Sequence, residues 1–206
     1  TNSYYTYVID GIDPSSGSYR FKDLDGDGSI TVKDKAILGT PDPRVILGFG
    51  NTFKYKNFAL DIFFNANFGN KMYNYSAMNF TLPNTFETSN YMVDAMNYWS
   101  ESNPNSDIAA NRANGNGNAL YNSRWIEDAW FIRLQNVTLS YNLASMIYVQ
   151  AQNLFLITPY SGLDPELANN AYMSSSENLP AFLPGSVDMN AYPPARTFTV
   201  GLNFSF

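Results

Sequence analysis

Strict alternation of apolar and polar residues is the strongest pattern in the chain, and it is clearest over residues 196–206. Every second residue of this stretch is apolar, and small or polar residues stand between them, as in a strand with one apolar face. The apolar positions are Phe198, Val200, Leu202, Phe204 and Phe206. A stretch of about ten residues that ends in an aromatic residue fits a transmembrane β-strand with lipid on one face. A half-buried strand of a soluble β-sandwich alternates in the same way, so this stretch alone leaves both interpretations open.

The same alternation predicts an all-β, antiparallel fold with about six strands. The predicted strands are residues 4–9, 44–55, 58–69, 130–142, 146–157 and 196–206. The apolar parity changes between Leu134 and Val137, which predicts a β-bulge near Gln135 and Asn136. Outside the strands, residues 86–100 carry aromatic and apolar positions at helical spacing, which predicts a helix there.

The connections between the predicted strands fall into two classes of length. Residues 56–57 and 143–145 allow only tight turns, whereas 10–44, 70–128 and 158–195 are long loops. Outer-membrane barrels sort their connections in this way, with short turns on the periplasmic side and long loops outside. About six strands are too few to close a barrel. The chain is therefore predicted to be the last part of a larger transmembrane barrel, with an oligomer as the alternative.

Composition supports a β-protein and argues against several functions. Aromatic residues make up 16% of the chain and charged residues only 15%, which favours β-strands. The length of 206 residues fits a single domain over 1–206. The net charge of −6 argues against nucleic-acid binding. The chain has no Cys and therefore no disulfide or thiol chemistry, and it has no His, the commonest general base. Carboxylate pairs can act without His, but we expect no enzymatic activity. No apolar run reaches the roughly eighteen residues of a transmembrane helix. The first residues do not form a signal peptide, so we expect an export signal elsewhere.

The first long loop carries an acidic motif, D-L-D-G-D-G-S-I-T-V-K-D. It fits the EF-hand-type calcium loop of about twelve residues, with carboxylates at the first, third and fifth positions and glycine at the sixth. The last position is an aspartate instead of the usual bidentate glutamate, which suggests a weaker or dockerin-like site. The predicted calcium ligands are Asp23, Asp25, Asp27, the backbone carbonyl of Ser29, and Asp34. We expect a structural calcium ion, and a solvated acidic turn is the alternative.

Five motifs in order along the chain resemble one family. They are D-L-D-G-D-G-S-I, I-L-G-F-G-N-T-F-K-Y-K-N-F-A-L-D, W-I-E-D-A-W-F-I-R-L-Q-N-V-T-L-S-Y, Y-V-Q-A-Q-N-L-F-L-I-T-P-Y-S-G-L-D-P-E and Y-P-P-A-R-T-F-T-V-G-L-N-F-S-F. Together they resemble the C-terminal end of SusC/RagA-type TonB-linked outer-membrane proteins of Bacteroidota. One departure is the segment between Tyr141 and Val149, which is shorter than is usual in the family. It is either a true short turn or a place where residues are missing.

The resemblance implies a barrel of about 22 strands, with a plug domain and a TonB box upstream. It also implies import of oligosaccharides or peptides through the outer membrane, energised through the TonB complex and assisted by a SusD-like surface lipoprotein. The loops 10–44, 70–128 and 158–195 would then be extracellular. The alternative is a secreted, calcium-stabilised β-sandwich that binds glycans or serves as an adhesin. The two interpretations differ in what the apolar face of the strands contacts, which is lipid in the barrel and the protein interior in the sandwich.

The sequence assigns no residue to catalysis or to cargo binding. Asp164 and Glu166 look like a carboxylate pair, but Pro165 between them and the loop context favour a turn. Aromatic residues in the long loops have two possible roles, stacking on sugar faces or packing one loop against another. The aromatic residues that fit an interfacial belt are Tyr55, Trp125, Trp130 and Tyr141.

Overall fold

The structure, a computed structural model, describes residues 2–82, 90–110, 121–143, 145–166, 187–189 and 192–204. In chain order the strands are β1 (Tyr4–Tyr7), β2 (Ile9–Ile12), β3 (Tyr19–Phe21), β4 (Lys35–Gly39), β5 (Val45–Tyr55), β6 (Phe58–Phe68), β7 (Lys71–Asn74), β8 (Ile126–Asp128), β9 (Phe131–Asn142), β10 (Ser145–Ile157), β11 (Val187–Asp188) and β12 (Thr197–Phe204). The helix α1 spans Tyr75–Thr81, and short 3₁₀ helices span Val32–Asp34, Val93–Asn97 and Ser123–Trp125. No helix in the part of the chain described here is long and apolar enough to cross a membrane.

Five long strands form one antiparallel sheet in the order β12-β10-β9-β6-β5, so β12 and β5 are its open edges. The hairpin of β5 and β6 keeps its register without a break, from Tyr55 opposite Phe58 to Val45 opposite Phe68. The strands β9 and β10 also pair as neighbours in the chain, with Asn142 opposite Met146. The predicted all-β, antiparallel fold is confirmed, and the described strands do not close into a barrel.

The two faces of this sheet differ in chemistry along their whole length. On one face, register places apolar residues opposite one another from strand to strand, for example Leu60 opposite Leu139, and Val149 opposite both Leu139 and Val200. Many of these side chains are exposed, including Val200 at 74% and Phe49 at 57%. On the other face, polar pairs form hydrogen bonds across the strands. They are Thr52 with Asp61 and Gln150 with Asn136.

A bulge interrupts the sheet where the sequence predicts it. Between β6 and β9 the pairing passes from Phe63 opposite Asn136 to Phe64 opposite Leu134, so Gln135 has no partner. The pairing of β9 with β10 shifts at the same level, beside Asn153, which has a φ of +52°. The extra residue changes the phase of β9, so the apolar residues before and after it lie on the same face.

The long connections fold into a layer of short elements at one end of the sheet, which we call the loop layer. Short sheets are formed by β1 with β4, by β2 with β3, and by β7 between β8 and β11. The main hydrophobic core of the described residues lies in this layer and not on the long sheet. Its members include Tyr4, Tyr19, Tyr73, Met78, Leu82, Ala109, Tyr121, Trp125, Ile126 and Val187. Burial of each large apolar side chain contributes on the order of 2 kcal/mol, so these loops are packed structure.

Hydrogen bonds attach the loop layer to the ends of the long strands. Ala129 donates its backbone N–H to the carbonyl of Asn70 (3.0 Å), and the Asn70 amide donates to the carbonyl of Ala129 (3.0 Å). The Thr158 hydroxyl donates to the carbonyl of Trp130 (2.7 Å). The short turns lie at the opposite end of the sheet, where Ser145 pairs with Phe204 of β12. The two lengths of connection are therefore sorted to the two ends of the sheet, as the sequence predicts.

Three expectations from the sequence are corrected by the structure. Residues 4–9 do not add a sixth strand to the long sheet, because Tyr4 and Tyr7 are buried in the loop layer, where β1 pairs with β4. The helix expected over 86–100 is only the 3₁₀ helix Val93–Asn97 among the described residues, and 83–89 lie outside them. Trp125 is 3% exposed in the core of the loop layer and is not an interfacial residue.

Candidate functional site

The loop that carries the acidic motif folds around its own carboxylates. Asp23 accepts hydrogen bonds from the backbone N–H groups of Gly26 (2.7 Å) and Gly28 (2.8 Å). These two glycines have φ values of +76° and +82°, a region that other residues rarely adopt, so the chain turns sharply here. One carboxylate oxygen from each of Asp23, Asp25 and Asp27 lies within 4.8 Å of the others. Three of the predicted calcium ligands therefore converge on one exposed point.

Asp34 closes this loop through hydrogen bonds to the backbone. Its Oδ1 accepts from the N–H of Leu24 (2.7 Å) and its Oδ2 from the N–H of Thr31 (2.7 Å). The second bond belongs to a capping box that begins the 3₁₀ helix Val32–Asp34. These hydrogen bonds, from Thr31 first and then from Leu24, lower the pKa of Asp34. Partial desolvation, and then the neighbouring carboxylates, raise the pKa of Asp25.

The donor set of this loop suits a hard divalent cation, because every available ligand is an oxygen. Ser29 lies beside the cluster and donates its backbone N–H to Asp27 (2.9 Å). Three carboxylates so close together repel one another, and a bound cation would relieve that repulsion. Coordination by Ser29 and Asp34, and the binding of calcium itself, stay predictions.

A pocket of about 690 Å³ lies within the loop layer. Its walls come from α1, from the 3₁₀ helix Val93–Asn97, and from residues 107–108, 124–125, 127, 161–163 and 188. Its volume lies within the range typical of small-molecule sites. This pocket could not be predicted from the sequence, because its walls come from separate segments without a common spacing or motif.

Glu127 is fixed in the wall of this pocket by three hydrogen bonds from neutral donors. Its Oε1 accepts from the Asn74 amide (2.9 Å) and from the Ser161 hydroxyl (2.8 Å). Its Oε2 accepts from the backbone N–H of Ser161 (2.8 Å). Asn74 also caps α1 by accepting a hydrogen bond from the N–H of Ala77 (2.8 Å). The position of this carboxylate is thus set by two segments of the loop layer, one at Asn74 and one at Ser161.

Asp188 is a second carboxylate in the wall of the pocket, and it is 5% exposed. Its Oδ1 accepts from the Ser76 hydroxyl (3.0 Å), and its Oδ2 accepts from the Tyr160 hydroxyl (2.7 Å). Burial, and then the hydrogen bond and the negative charge of Asp188, raise the pKa of Tyr160 far above its ordinary value. Glu127 raises it further. Burial is thus the main cause of the raised pKa of Tyr160, and the two carboxylates add to it.

The guanidinium of Arg124 is the only basic group that lines this pocket within the described residues. Its Nη1 lies 2.9 Å from Oδ2 of Asp107, so the two charges form an ion pair. The guanidinium also lies over the ring of Trp125, 5.1 Å from the ring centre. Its charge is therefore already balanced by Asp107.

A buried ion pair links the loop layer to the polar face of the long sheet. Arg133 and Asp164 are each 3% exposed, and Nη2 of Arg133 contacts both carboxylate oxygens of Asp164 at 2.6 and 2.8 Å. Nε of Arg133 lies 3.1 Å from Glu166, an ion-pair distance without hydrogen-bond geometry. Asp164 also accepts from the N–H of Glu166 (2.9 Å), which forms a turn at Pro165. The predicted turn is confirmed, and both carboxylates face an arginine.

Comparison with known sequences gives relatives over nearly the whole chain, although no family model matches it. It is 33% identical over 207 residues to TonB-dependent receptor P3 of Formosa agariphila, a match that covers 94% of this chain and 19% of the receptor. TonB-dependent receptor P26 of the same organism is 32% identical, covering 92% of this chain and 20% of that receptor. TonB-dependent receptor SusC of Bacteroides thetaiotaomicron is 29% identical, covering 90% of this chain and 17% of SusC. The chain therefore spans about a fifth of the length of these curated relatives.

Solved structures resemble the fold over almost all of the chain. The RagAB peptide transporter matches with a TM-score of 0.80 at 22% identity, covering 99% of this chain and 22% of that chain. The RagAB peptide importer in its open-open state matches with a TM-score of 0.76 at 23% identity, with the same coverage. The fold and the sequence relatives agree with the motifs along the chain. The chain thus resembles TonB-dependent receptors of the SusC/RagA type over nearly its whole length, and its motifs resemble the C-terminal part of such a receptor.

Proposed function

We propose that this chain forms part of the wall and of the outer surface of a TonB-dependent outer-membrane transporter. The observation that carries the proposal is the continuous apolar face of the five-stranded sheet, many of whose large side chains are exposed. In the proposed arrangement this face contacts lipid and the polar face lines the barrel interior. The short turns then lie on the periplasmic side, and the loop layer lies outside the cell.

The composition of the apolar face supports contact with lipid. Within the described strands, no Asp, Glu, Lys or Arg occupies a position on this face. Asn51 is its one strongly polar position. A β-sandwich would cover such a face with a second sheet. The short sheets described here pack into the loop layer instead.

Charged substitutions on the two faces of β12 test this placement in the full-length protein. Val200→Lys puts a cation on the apolar face, which we expect to cost about 2–4 kcal/mol if that face contacts lipid near the bilayer centre. Thr199→Lys puts the same cation on the polar face and is the matched control. We expect Val200→Lys alone to reduce the heat-modifiable folded band in outer-membrane fractions. Equal effects of the two variants, or a monodisperse protein without detergent, would refute the proposal.

We further propose that the receptor imports oligosaccharides or peptides, is energised through the TonB complex, and uses a SusD-like surface lipoprotein as a lid. In this function it transports its cargo and does not transform it. Uptake of labelled cargo by cells that carry or lack the receptor gene tests import, and depletion of the lipoprotein tests the lid. Uptake that persists without the receptor or without a proton-motive force would contradict the proposed transport.

The acidic loop is proposed to hold a structural calcium ion on the outer surface. Its convergent carboxylates support this proposal, and the double substitution Asp25→Asn with Asp27→Asn should abolish calcium binding measured on the full-length receptor. Asp42→Asn removes an exposed carboxylate of another loop and is the control. Unchanged calcium stoichiometry in the double variant would show that the ligand assignment is wrong.

A further inference from the structure

We infer that the pocket in the loop layer binds a protonated amine or a guanidinium of the imported molecule. This inference deepens the proposed function, on which it rests, because it makes basic peptides the favoured cargo over neutral or acidic oligosaccharides. It stands on the balance of charges around the pocket, on the rigidity of its carboxylates, and on its apolar wall.

Among the described residues that line the pocket, negative charges outnumber positive ones. Four carboxylates line it, whereas the described residues contribute one cation, Arg124. That cation is paired with Asp107, so it does not neutralise the other three. Those three carboxylates make no ion pair with any described residue. They are Asp94, Glu127 and Asp188. A cationic group of a ligand would supply the missing charge.

Two of these carboxylates are held in place before any ligand arrives. Among the described residues, the side chains of Glu127 and Asp188 accept hydrogen bonds from neutral donors, so these bonds fix the two carboxylates without pairing them with a cation. A fixed carboxylate does not lose side-chain freedom when it pairs with a ligand, which favours affinity. Asp94 is exposed, so its carboxylate would attract a cationic ligand at the side of the pocket that is open to solvent.

The rest of the wall suits an organic cation better than a bare metal ion. Phe80, Trp125 and Leu163 provide apolar and aromatic surface in the same pocket. A lysine or arginine side chain combines an apolar stem with a charged head and would use both kinds of surface. Among the described residues, the acidic group compact enough for a metal ion is the one at Asp23, Asp25 and Asp27, outside this pocket.

The test measures binding of short blocked peptides to the full-length receptor by isothermal titration calorimetry. The probes are acetyl-Ala-Lys-Ala-amide, its Glu counterpart, and maltotriose as a neutral sugar. We expect the Lys peptide to bind at least about tenfold more tightly than the other two, as for a charge-assisted hydrogen bond. Added salt should weaken only the binding of the Lys peptide.

Two variants locate that preference in the pocket. Asp94→Asn removes an exposed charge, and we expect it to weaken binding of the Lys peptide by roughly two- to fivefold. Glu101→Gln removes an exposed charge outside the pocket and should change nothing. Equal binding of the Lys and Glu peptides, tighter binding of maltotriose, no binding of the Lys peptide, or equal effects of the two variants would each overturn the inference. Failure of the proposed function is detected separately, by loss of the membrane-inserted barrel.

Discussion

Removing one partner of the buried ion pair between Arg133 and Asp164 should open the loop that carries the pair. Both side chains are almost completely buried, and the guanidinium contacts both oxygens of the carboxylate. Asp164→Ala leaves the guanidinium buried beside Glu166 alone, whose side chain is 45% exposed. Breaking a buried pair costs about 3–5 kcal/mol. We expect about 3 kcal/mol, the lower end of that range, because Glu166 still compensates part of the charge.

The ion pair joins the loop layer to one strand of the sheet. The loss of free energy should therefore appear as local opening of the loop that carries Asp164. A loss of about 3 kcal/mol raises the opening equilibrium roughly 150-fold. Amide hydrogen exchange of residues 158–166 in the full-length receptor, followed by mass spectrometry, measures that change directly. The control is Asp107→Ala, which removes the carboxylate of a partly exposed ion pair and should cost less than about 1 kcal/mol.

A double variant separates the charge from the packing. Arg133→Met combined with Asp164→Leu removes both charges and keeps apolar volume, so protection should return to within about 1 kcal/mol of the parent. Two results would refute the reasoning. One is an exchange rate in Asp164→Ala within about twofold of the parent, and the other is a double variant as unprotected as the single one.

Three further predictions concern single positions. Gly201→Ala places a Cβ inside the ring of Tyr148 on the neighbouring strand. We expect this clash to lower the temperature at which the folded band is lost in heat-modification gels. The second substitution Tyr148→Ala in the same chain should restore that temperature. Asp34 has a lowered pKa, so its stabilisation of the acidic loop is present above the ordinary value of 3.8 and is lost as the pH falls through the folded value. The protection of loop amides, relative to their intrinsic exchange rate at each pH, should therefore fall below about pH 4 in the parent. An Asp34→Asn variant with the same pH dependence would show that Asp34 is not the group responsible. Tyr160→Phe removes the hydroxyl that donates to Asp188 and should loosen residues 187–189 by about 1–2 kcal/mol, which exchange at those amides would show.

The long strands could be predicted from the sequence because each carries its own evidence. Alternation with a period of two is visible within a single segment, and the change of parity around Gln135 shows a bulge without knowledge of its neighbours. Residues 4–9 look like a strand in the same way, but alternation does not say which strand is the partner. Tyr4 is completely buried among residues far away in the chain, and that contact assigns β1 to the loop layer.

The pocket and the helix α1 could not be predicted, for a different physical reason. The helix has seven residues, too few to show a helical period, and the cap at Asn74 is its only local signal. Glu127 and Asp188 are ordinary acidic residues in the sequence. They become a pair of pocket carboxylates only because β7 lies between β8 and β11. The acidic loop is the opposite case, since its ligands lie within one short segment.

The bulge at Gln135 decides on which side of the wall a positive charge lies. Arg133 has the same parity as Val137 and Leu139, so an unbroken β9 would place its guanidinium on the apolar face. The extra residue turns Arg133 to the polar face, opposite Asn65 and within reach of Asp164. On the lipid side of a barrel an arginine costs about 2–4 kcal/mol near the bilayer centre. In the proposed membrane placement, deletion of Gln135 would therefore shift the strand and move a charge that is paired with Asp164 inside the protein to the lipid side.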